Sequence, residues 1–454
     1  MDRIPVHRLL AALLLVLVGT VSAGETSLAQ RVDRYLEPFV EGRNFLGSVL
    51  IARGDEILVD RGYGLANVEL GVPNGPGTRY HIASISKAFT AAAVLLLEER
   101  GLLRTTDPLS ATVPEFPHGS EITLLHLLTH TSGIPNVNDL PEYAQAQRFP
   151  QTPASLMALF EGKPLAFGPG SRYAYSNSNY NLLALIIERL GKKPYGEFLE
   201  ENIFRPLRLS STGHDGDAAD IIPGRASGYA PRGVSDLANA PWIDWSAKTG
   251  NGSLYSTTRD LLTFVRSFAA GKIVRPENVS RAWTEKPGNN FGWFARQSHG
   301  EFAAASNGRS PGFTSSLEYY PAREITVIVL SNSYSPVSQS PIAADLASLV
   351  LGQPVAPSGP ILPVPLDLQS WKRIAGQYVF GPDFYRPGVA VSLRLEKGEP
   401  VLDWGGGFLS VLIPTAPGEF LDRQYWARIR VNAAGDGFTY SLSGSVFTVK
   451  RAAG

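Results

Sequence analysis

The hydrophobic pattern of the first hundred residues alternates between helical and strand-like spacing. Apolar residues recur at helical intervals over residues 27–41, and two β-prone runs follow at 48–52 and 57–60. A Gly-Asp pair joins the two runs and tolerates the positive φ of a tight hairpin turn. Helical spacing returns over residues 84–99. The pattern therefore predicts a helix, a β-hairpin and a second helix.

The middle of the chain keeps helical spacing, and strand character returns late. We expect helices at 124–128, 180–190 and 253–269, with prolines between them. Residues 313–320 and 325–330 are rich in β-prone side chains and are separated by a turn that contains proline. Strands at both ends of a helical region predict one antiparallel sheet flanked by helices, an α+β fold.

A proline-rich segment separates this region from a different pattern. Five prolines between residues 354 and 365 favour an extended linker, which we place at 354–370. Beyond it, apolar and polar residues alternate with period two in short runs separated by glycines. We therefore predict a main domain over residues 24–353 and a small all-β barrel domain over 371–454.

The N-terminus has the pattern of a secretory signal peptide over residues 1–23. Arg3 and Arg8 precede an apolar run at 9–18, and the small residues before and at Ala23 resemble a cleavage site. The alternative is an uncleaved anchor, but ten apolar residues cover only about 15 Å of a bilayer core roughly 30 Å thick. We expect cleavage near Ala23 and an exported protein, periplasmic or secreted, with no stable membrane span.

Composition excludes several classes of function. Lys plus Arg and Asp plus Glu both number 41, so no net charge attracts nucleic acid. The chain has no cysteine, which excludes a cysteine nucleophile and cysteine-ligated metal. Its seven histidines lack metal-binding spacing, and no phosphate-binding loop is present. We therefore expect no cofactor and no metal; the partner is a small-molecule ester, amide or peptide substrate, and the oligomeric state stays open.

The strongest chemical signal is the pair Ser84 and Lys87 at the start of the second predicted helix. Three residues apart on a helix, the two side chains share one face. A serine hydroxyl becomes a good nucleophile when a neighbouring base removes its proton, and a buried lysine can be that base if it stays neutral. We also expect Ser84 at the positive end of the helix dipole. The alternative is a serine N-cap followed by a solvent-facing lysine.

A second element of the same chemistry lies about ninety residues downstream. Tyr175 and Asn177 are separated by one residue and precede a predicted helix. A phenol can relay a proton to a leaving group, and an amide can bond a lysine or orient a substrate carbonyl. The alternative is a polar loop that caps the helix.

These residues belong to four ordered segments that resemble one family. Residues 80–90, 127–135, 175–177 and 250–262 resemble, in this order, the serine β-lactamase and penicillin-binding-protein-like family, especially its class C-like esterases and D-peptidases. The resemblance covers roughly residues 27–350, and the trailing β domain resembles an accessory domain of some members. It implies a β-lactamase/transpeptidase-like sheet, with Ser84, Lys87 and Tyr175 as catalytic residues.

The resemblance also implies a substrate-binding strand, and here the chain departs from the family. Family members carry Lys-Thr-Gly or His-x-Gly, whereas this chain has Ser306-Asn307-Gly308. Asn177, Ser306, Gly308 and Arg309 are the implied substrate-binding residues, and the main-chain N–H groups of Ser84 and Arg309 form the implied oxyanion hole. His299 and Arg309 are candidates for the missing positive charge.

A rival nucleophile, Ser310, lies in the pattern Gly-x-Ser-x-Gly of α/β-hydrolases. Pro311 follows it and has no N–H to donate to an oxyanion, and strand rather than helix is predicted next. Ser84 is therefore the preferred nucleophile.

We thus expect an exported serine hydrolase that acts on esters or small amides through an acyl-enzyme. One alternative is a D-stereospecific peptidase, a DD-carboxypeptidase or a β-lactamase, which the absence of a basic residue at Ser306 disfavours. Another, of a different class, is a non-catalytic binding or scaffold protein with the same fold.

Overall fold

The protein is described by a computed structural model. It covers residues 27–452 except 235, 285–287, 289, 336–340, 356–362, 385–386, 407 and 443–444. The predicted signal peptide and part of the predicted linker lie outside the described residues. Within the described part of the chain, no helix is both long enough and apolar enough to cross a bilayer.

The main domain is built on one antiparallel sheet of six strands. Its order is β10-β11-β12-β13-β1-β2, so the first hairpin pairs with the last strand of the domain. The prediction that both ends of the domain form one sheet is confirmed. The strands are β1 (Gly47–Arg53), β2 (Glu56–Tyr63), β10 (Phe294–Ser298), β11 (Glu301–Ser310), β12 (Phe313–Tyr320) and β13 (Ile325–Ser331).

Both faces of the inner strands of this sheet are buried, because helices cover each face. Val49 and Val329 face α1 (Leu28–Glu41) and α11 (Pro341–Leu351) on one side. Leu50 and Ile328, their neighbours in sequence, face the helical region on the other side. The alternation of strand side chains thus divides the domain into two apolar cores.

The helical region surrounds α2 (Ser86–Glu99), which follows the candidate nucleophile. Eleven of its fourteen residues are buried, so this helix lies inside the domain rather than on its surface. The other helices of this region are α3 (Leu124–Leu128), α4 (Pro141–Ala146), α5 (Pro153–Ala158), α6 (Asn177–Gly191), α7 (Tyr195–Leu199), α8 (Arg205–Leu207), α9 (Thr258–Ala269) and α10 (Pro276–Ala282).

Short strands tie the helical region together, and one of them corrects a prediction. The helix expected over 253–269 begins only at Thr258, because Leu254–Ser256 forms a strand that pairs with Tyr80–His81. That long-range pairing overrides the local helical spacing. The short strands are β3 (Leu65–Asn67), β4 (Val72–Pro73), β5 (Tyr80–His81), β6 (Gly213–His214), β7 (Tyr229–Arg232), β8 (Asp236–Asn239) and β9 (Leu254–Ser256).

The C-terminal region is a closed antiparallel barrel of eight strands, which confirms the predicted barrel. It is preceded by α12 (Leu368–Ile374), so a helix begins inside the segment predicted as extended linker, with Asp367 as its N-cap. The strands are β14 (Gly376–Phe380), β15 (Ala390–Glu396), β16 (Glu399–Asp403), β17 (Leu409–Ala416), β18 (Glu419–Asp422), β19 (Ala427–Val431), β20 (Gly437–Leu442) and β21 (Ser445–Arg451).

One buried arginine of the barrel connects it to the main domain. Arg423 is 1% exposed, and its guanidinium donates to Asn44 Oδ1 at 3.0 Å and to the carbonyl oxygens of Arg232 and Asp236 at 2.8 Å. Burial lowers the pKa of Arg423 to about 10, so the group stays charged at neutral pH. The barrel is thereby held against the main domain by bonds from one charged group.

Candidate active site

Ser84 lies in a single 3₁₀ turn, Ala83–Ile85, immediately before α2. The expectation that Ser84 opens the α-helix itself is wrong: the helix begins at Ser86. The Ile85 N–H donates to Ile82 O at 3.2 Å, and Ala83 has a φ of 47°, which is rare for a residue with a side chain. This tight turn sets the serine apart from the regular helix, and such strained turns are typical of functional positions.

Lys87 is completely buried and points at the serine. Its Nζ lies 3.0 Å from Ser84 Oγ, 2.9 Å from Asn177 Oδ1 and 2.8 Å from Asn251 O. Burial, with the positive charge of nearby Lys248, places the pKa of Lys87 well below its ordinary value. The alternative of a solvent-facing lysine is therefore wrong.

The surroundings of Lys87 fix the direction of its lone pair. A neutral amine has two hydrogens, and the carbonyl oxygens of Asn177 and Asn251 accept both. The remaining neighbour within hydrogen-bond distance is Ser84 Oγ. The lone pair is thus directed at the serine hydroxyl, which is the arrangement a general base needs.

Tyr175 lies on the other side of the same hydroxyl. Its phenol oxygen is 2.9 Å from Ser84 Oγ, and burial raises its pKa well above the ordinary value, so the phenol keeps its proton at neutral pH. His130 stacks on the tyrosine ring at 4.4 Å and accepts the Ser176 N–H at 3.1 Å. No sequence pattern pointed to this contact between His130 and the phenol ring.

Asn177 is the first residue of α6 and is held from two sides. Its main-chain N–H donates to Asn136 Oδ1 at 2.9 Å, and its Nδ2 donates to Asn138 Oδ1 at 2.8 Å. These bonds orient the amide so that its oxygen faces Lys87. The sequence offered no sign that two other asparagines hold it.

Gly308 brings strand β11 against the nucleophile turn. A Cβ at this position would lie 2.4 Å from Ile82 O and 2.6 Å from Ser84 N, so only glycine fits. Among the described strands, β10 pairs with β11 only as far as Ala305, which leaves the later part of β11 as an edge beside the serine. The Ser84 and Arg309 amides thus lie on neighbouring main-chain segments, as an oxyanion hole requires.

The remaining predicted residues of this strand have other contacts. The Ser306 hydroxyl donates to Gly292 O at 3.0 Å, whereas the Arg309 side chain is exposed and lies 5.7 Å from the Tyr334 ring. His299 Nδ1 lies 3.1 Å from Oε1 of Gln353, a residue just after the end of α11. None of the described contacts of His299 involves Ser84. The structure brings Ser84, Lys87, Tyr175, Asn177 and Gly308 together. The side chains of Ser306, Arg309 and His299 make their contacts outside this group.

Ser310 does not have the geometry of a nucleophile elbow. It is buried at the end of β11, where it pairs with Phe313 across a two-residue turn, and strand β12 follows instead of a helix. An elbow needs a strand followed by a turn and a helix N-terminus.

A second buried lysine, to which no sequence pattern pointed, lies near Lys87. Lys248 is 5% exposed, its Nζ lies 4.9 Å from the centre of the Tyr143 ring, and burial lowers its pKa to about 8. Its carbonyl oxygen accepts the Asn251 N–H at 3.0 Å. One turn of chain therefore carries both an acceptor for Lys87 and a positive charge near it.

The chain is similar to several known proteins. The family model described as Beta-lactamase matches residues 29–351. Penicillin-binding protein 4* of Bacillus subtilis is 28% identical over 426 residues, which cover 87% of this chain and 91% of that protein. The octameric penicillin-binding protein homologue from Pyrococcus abyssi has a TM-score of 0.64 at 25% identity, over 92% of this chain and 99% of that one.

A third similar protein is D-amino acid amidase from Ochrobactrum anthropi, in a structure complexed with L-phenylalanine amide. It shares the fold with a TM-score of 0.63 at 21% identity, over 71% of this chain and 97% of that one. The family model covers most of the main domain, including the serine, lysine and tyrosine described above. The chain therefore belongs to the beta-lactamase family of serine hydrolases.

Proposed function

We propose that this protein hydrolyses esters or small amides through an acyl-enzyme formed on Ser84. The observation that carries the proposal is the position of the Ser84 hydroxyl, 3.0 Å from the buried Lys87 amine and 2.9 Å from the Tyr175 phenol. A nucleophile, a neutral base and a proton-carrying phenol within one hydrogen-bonded group are the parts that acyl transfer needs.

The steps follow from the donors and acceptors. Ser84 Oγ attacks the substrate carbonyl as its proton passes to Lys87 Nζ, and the Ser84 and Arg309 amides stabilise the oxyanion. Tyr175 gives its proton to the leaving group and is reprotonated from Lys87, while Asn177 positions the substrate. Water then attacks the acyl-enzyme and gives a proton to Lys87, which passes it to Ser84 Oγ as the acid leaves, so that the free serine and the neutral lysine are restored.

The neutral residue at position 306 supports ester or amide substrates that are not held by a carboxylate at that position. The Ser306 hydroxyl carries no charge and is already bonded to Gly292 O. A family member with lysine or histidine there has a cation for an acidic substrate, and this chain has none at that position.

A D-stereospecific amidase or peptidase is the second candidate. It is supported by the likeness to the D-amino acid amidase of Ochrobactrum anthropi and to the penicillin-binding proteins. DD-carboxypeptidase and β-lactamase activities are grouped with this candidate. Both proceed through an acyl-enzyme, and both also recognise a carboxylate on the substrate.

We also propose that the chain is exported, with cleavage near Ala23. The basic N-terminus, the short apolar run and the small residues before Ala23 support this. Expression of the full chain in a bacterial host, fractionation, and mass measurement of the mature N-terminus test it. A protein that stays in the cytoplasm with Met1 retained contradicts the proposal.

The test of activity compares three substrates with the purified protein: a p-nitrophenyl ester, a D-amino acid p-nitroanilide and a fluorescent penicillin. We expect ester turnover, with an acyl adduct on the Ser84 peptide by mass spectrometry. Ser84→Ala should abolish both, and the matched variant Ser310→Ala should keep both. Anilide turnover or a stable penicillin adduct without ester turnover would favour the second candidate. No turnover and no adduct would favour a non-catalytic scaffold.

A further inference from the structure

A cavity of about 400 Å³ lies where the barrel meets the main domain. The main domain contributes Arg309 and Tyr334, and the barrel contributes a set of aromatic side chains that includes Trp404, Phe408 and Tyr425. A closed barrel of eight strands is wide enough to hold one small ligand at its opening. The cavity is therefore of the size and kind that binds small molecules.

The aromatic wall of this cavity is held in place. The Trp404 and Tyr425 rings meet edge to face at 5.4 Å, and the Phe408 ring lies 6.1 Å from Tyr425. Trp404 Nε1 also donates to Ser410 Oγ at 3.0 Å, which fixes the indole plane. Apolar or aromatic groups bind well to such a surface, because little side-chain freedom is lost on binding.

The opposite wall carries a positive charge. Arg309 is exposed, and its guanidinium lies 5.7 Å from the Tyr334 ring. Among the described residues, no carboxylate forms an ion pair with it. On the barrel side of the cavity, Asp422 accepts bonds from the Tyr440 hydroxyl and from the main-chain N–H of Gln424, so its oxygens are already occupied. A guanidinium in this position favours a carboxylate.

The same arginine connects the cavity to the active site. Arg309 follows Gly308, the residue that packs against Ser84, and its own N–H is the second donor of the proposed oxyanion hole. Its side chain lines the cavity. One residue of β11 therefore has its main chain beside the reacting carbonyl and its guanidinium beside the aromatic wall.

We propose that this cavity is a substrate subsite for an aromatic carboxylate, with the ring against Trp404 and Phe408 and the carboxylate on Arg309. The inference rests on the proposed function in one respect only, namely that the bound group is part of the substrate. Arg309 thus supplies a cation three residues after position 306, on a side chain that lines the cavity beside the barrel. The substrate it selects is an ester or amide that carries a remote aromatic acid.

The binding test uses the full chain with Ser84→Ala, so that it does not depend on turnover. Titration calorimetry with 4-phenylbutyrate should show binding, and the neutral 4-phenylbutyramide should bind about tenfold more weakly or worse. Arg309→Met and Phe408→Ala should each weaken the binding of 4-phenylbutyrate by about tenfold. Arg428→Met, an exposed arginine on the outer face of the barrel, is the matched control and should bind normally.

The kinetic test uses the active protein. 4-Phenylbutyrate should compete with a p-nitrophenyl ester whose acyl group carries a phenyl ring and a carboxylate, raising its KM without changing kcat. Equal binding of acid and amide, or unchanged binding in Arg309→Met, overturns the subsite. Binding without competition overturns its assignment to the substrate. Binding in a protein that hydrolyses no ester leaves the subsite supported and the proposed function refuted.

Discussion

Asn251 presents its carbonyl oxygen to Lys87 Nζ at 2.8 Å, although 164 residues separate the two in the chain. This bond and the one to Asn177 take both hydrogens of a neutral amine and direct its lone pair to Ser84. The basicity of the site therefore depends on where the main chain places an acceptor as well as on the lysine itself.

Replacement of Lys87 by methionine should reduce kcat/KM for a p-nitrophenyl ester by about 10³-fold or more, because it removes the base and keeps the buried stem. In the native protein, activity should rise with pH through the pKa of Lys87, which lies well below the ordinary lysine value, because the neutral amine is the active form. Lys272→Met, on the exposed surface, is the control and should keep the native profile. A Lys87→Met variant with native turnover would contradict this role.

Lys248→Met should move the acid limb of the kcat/KM profile to higher pH. The positive charge of Lys248 disfavours protonation of Lys87, so its removal raises the pKa of Lys87. The pKa of Lys248 itself is about 8, and the effect should be largest below that pH, where Lys248 is charged. Steady-state kinetics between pH 5 and about pH 9 measure it. An acid limb that does not move would show that the two lysines are not coupled.

Tyr175→Phe should lower kcat about 10²-fold, because it removes the proton relay and keeps the ring that stacks on His130. The matched control is Tyr173→Phe, two residues earlier and 37% exposed, which should have native kinetics. Pre-steady-state measurement separates acylation from deacylation. If Tyr175→Phe forms and breaks the acyl-enzyme at native rates, the phenol has no part in proton transfer.

Gly308→Ala should lower kcat about 10²-fold, because its Cβ would lie 2.6 Å from Ser84 N and would push β11 away from the oxyanion. Gly77→Ala is the control, since a Cβ there meets nothing within 4 Å. Thermal unfolding of both variants should distinguish a local shift from loss of the fold. Native kcat in Gly308→Ala would exclude the close approach of this strand as a catalytic requirement.

Arg423→Met should destabilise the protein by about 2 kcal/mol or more, because it leaves the buried Asn44 oxygen and the part-buried carbonyl oxygens of Arg232 and Asp236 without their donor. We expect the single unfolding transition to divide into two, one for the barrel and one for the main domain. Arg428→Met on the outer barrel surface should unfold as the native protein does. Differential scanning calorimetry measures both, and an unchanged Arg423→Met profile would refute the connection.

Short local patterns were predictable from the sequence. Ser84, Lys87, Tyr175 and Asn177 each lie in a short segment, and the resemblance of these segments to one family implied that they share one site. The sheet and the barrel were also predictable, because alternation and helical spacing are local properties of each element.

Other parts of the site depend on contacts that no local pattern records. Asn251 acts through its main-chain oxygen, which every residue has, and Lys248 is close to Lys87 only because a turn brings it there. The strand at Leu254–Ser256 forms because Tyr80–His81 pairs with it. Such partners become visible only when distant segments are brought together.

The order of strands in the main sheet also affects how the domain folds. β1 lies near the start of the domain and its partner β13 ends at Ser331, so this pairing joins two segments from opposite ends of the domain. Pairings this distant in sequence make folding slow. Because β11 packs against the nucleophile turn, the proposed site is complete only once residues up to Ser310 have folded onto it.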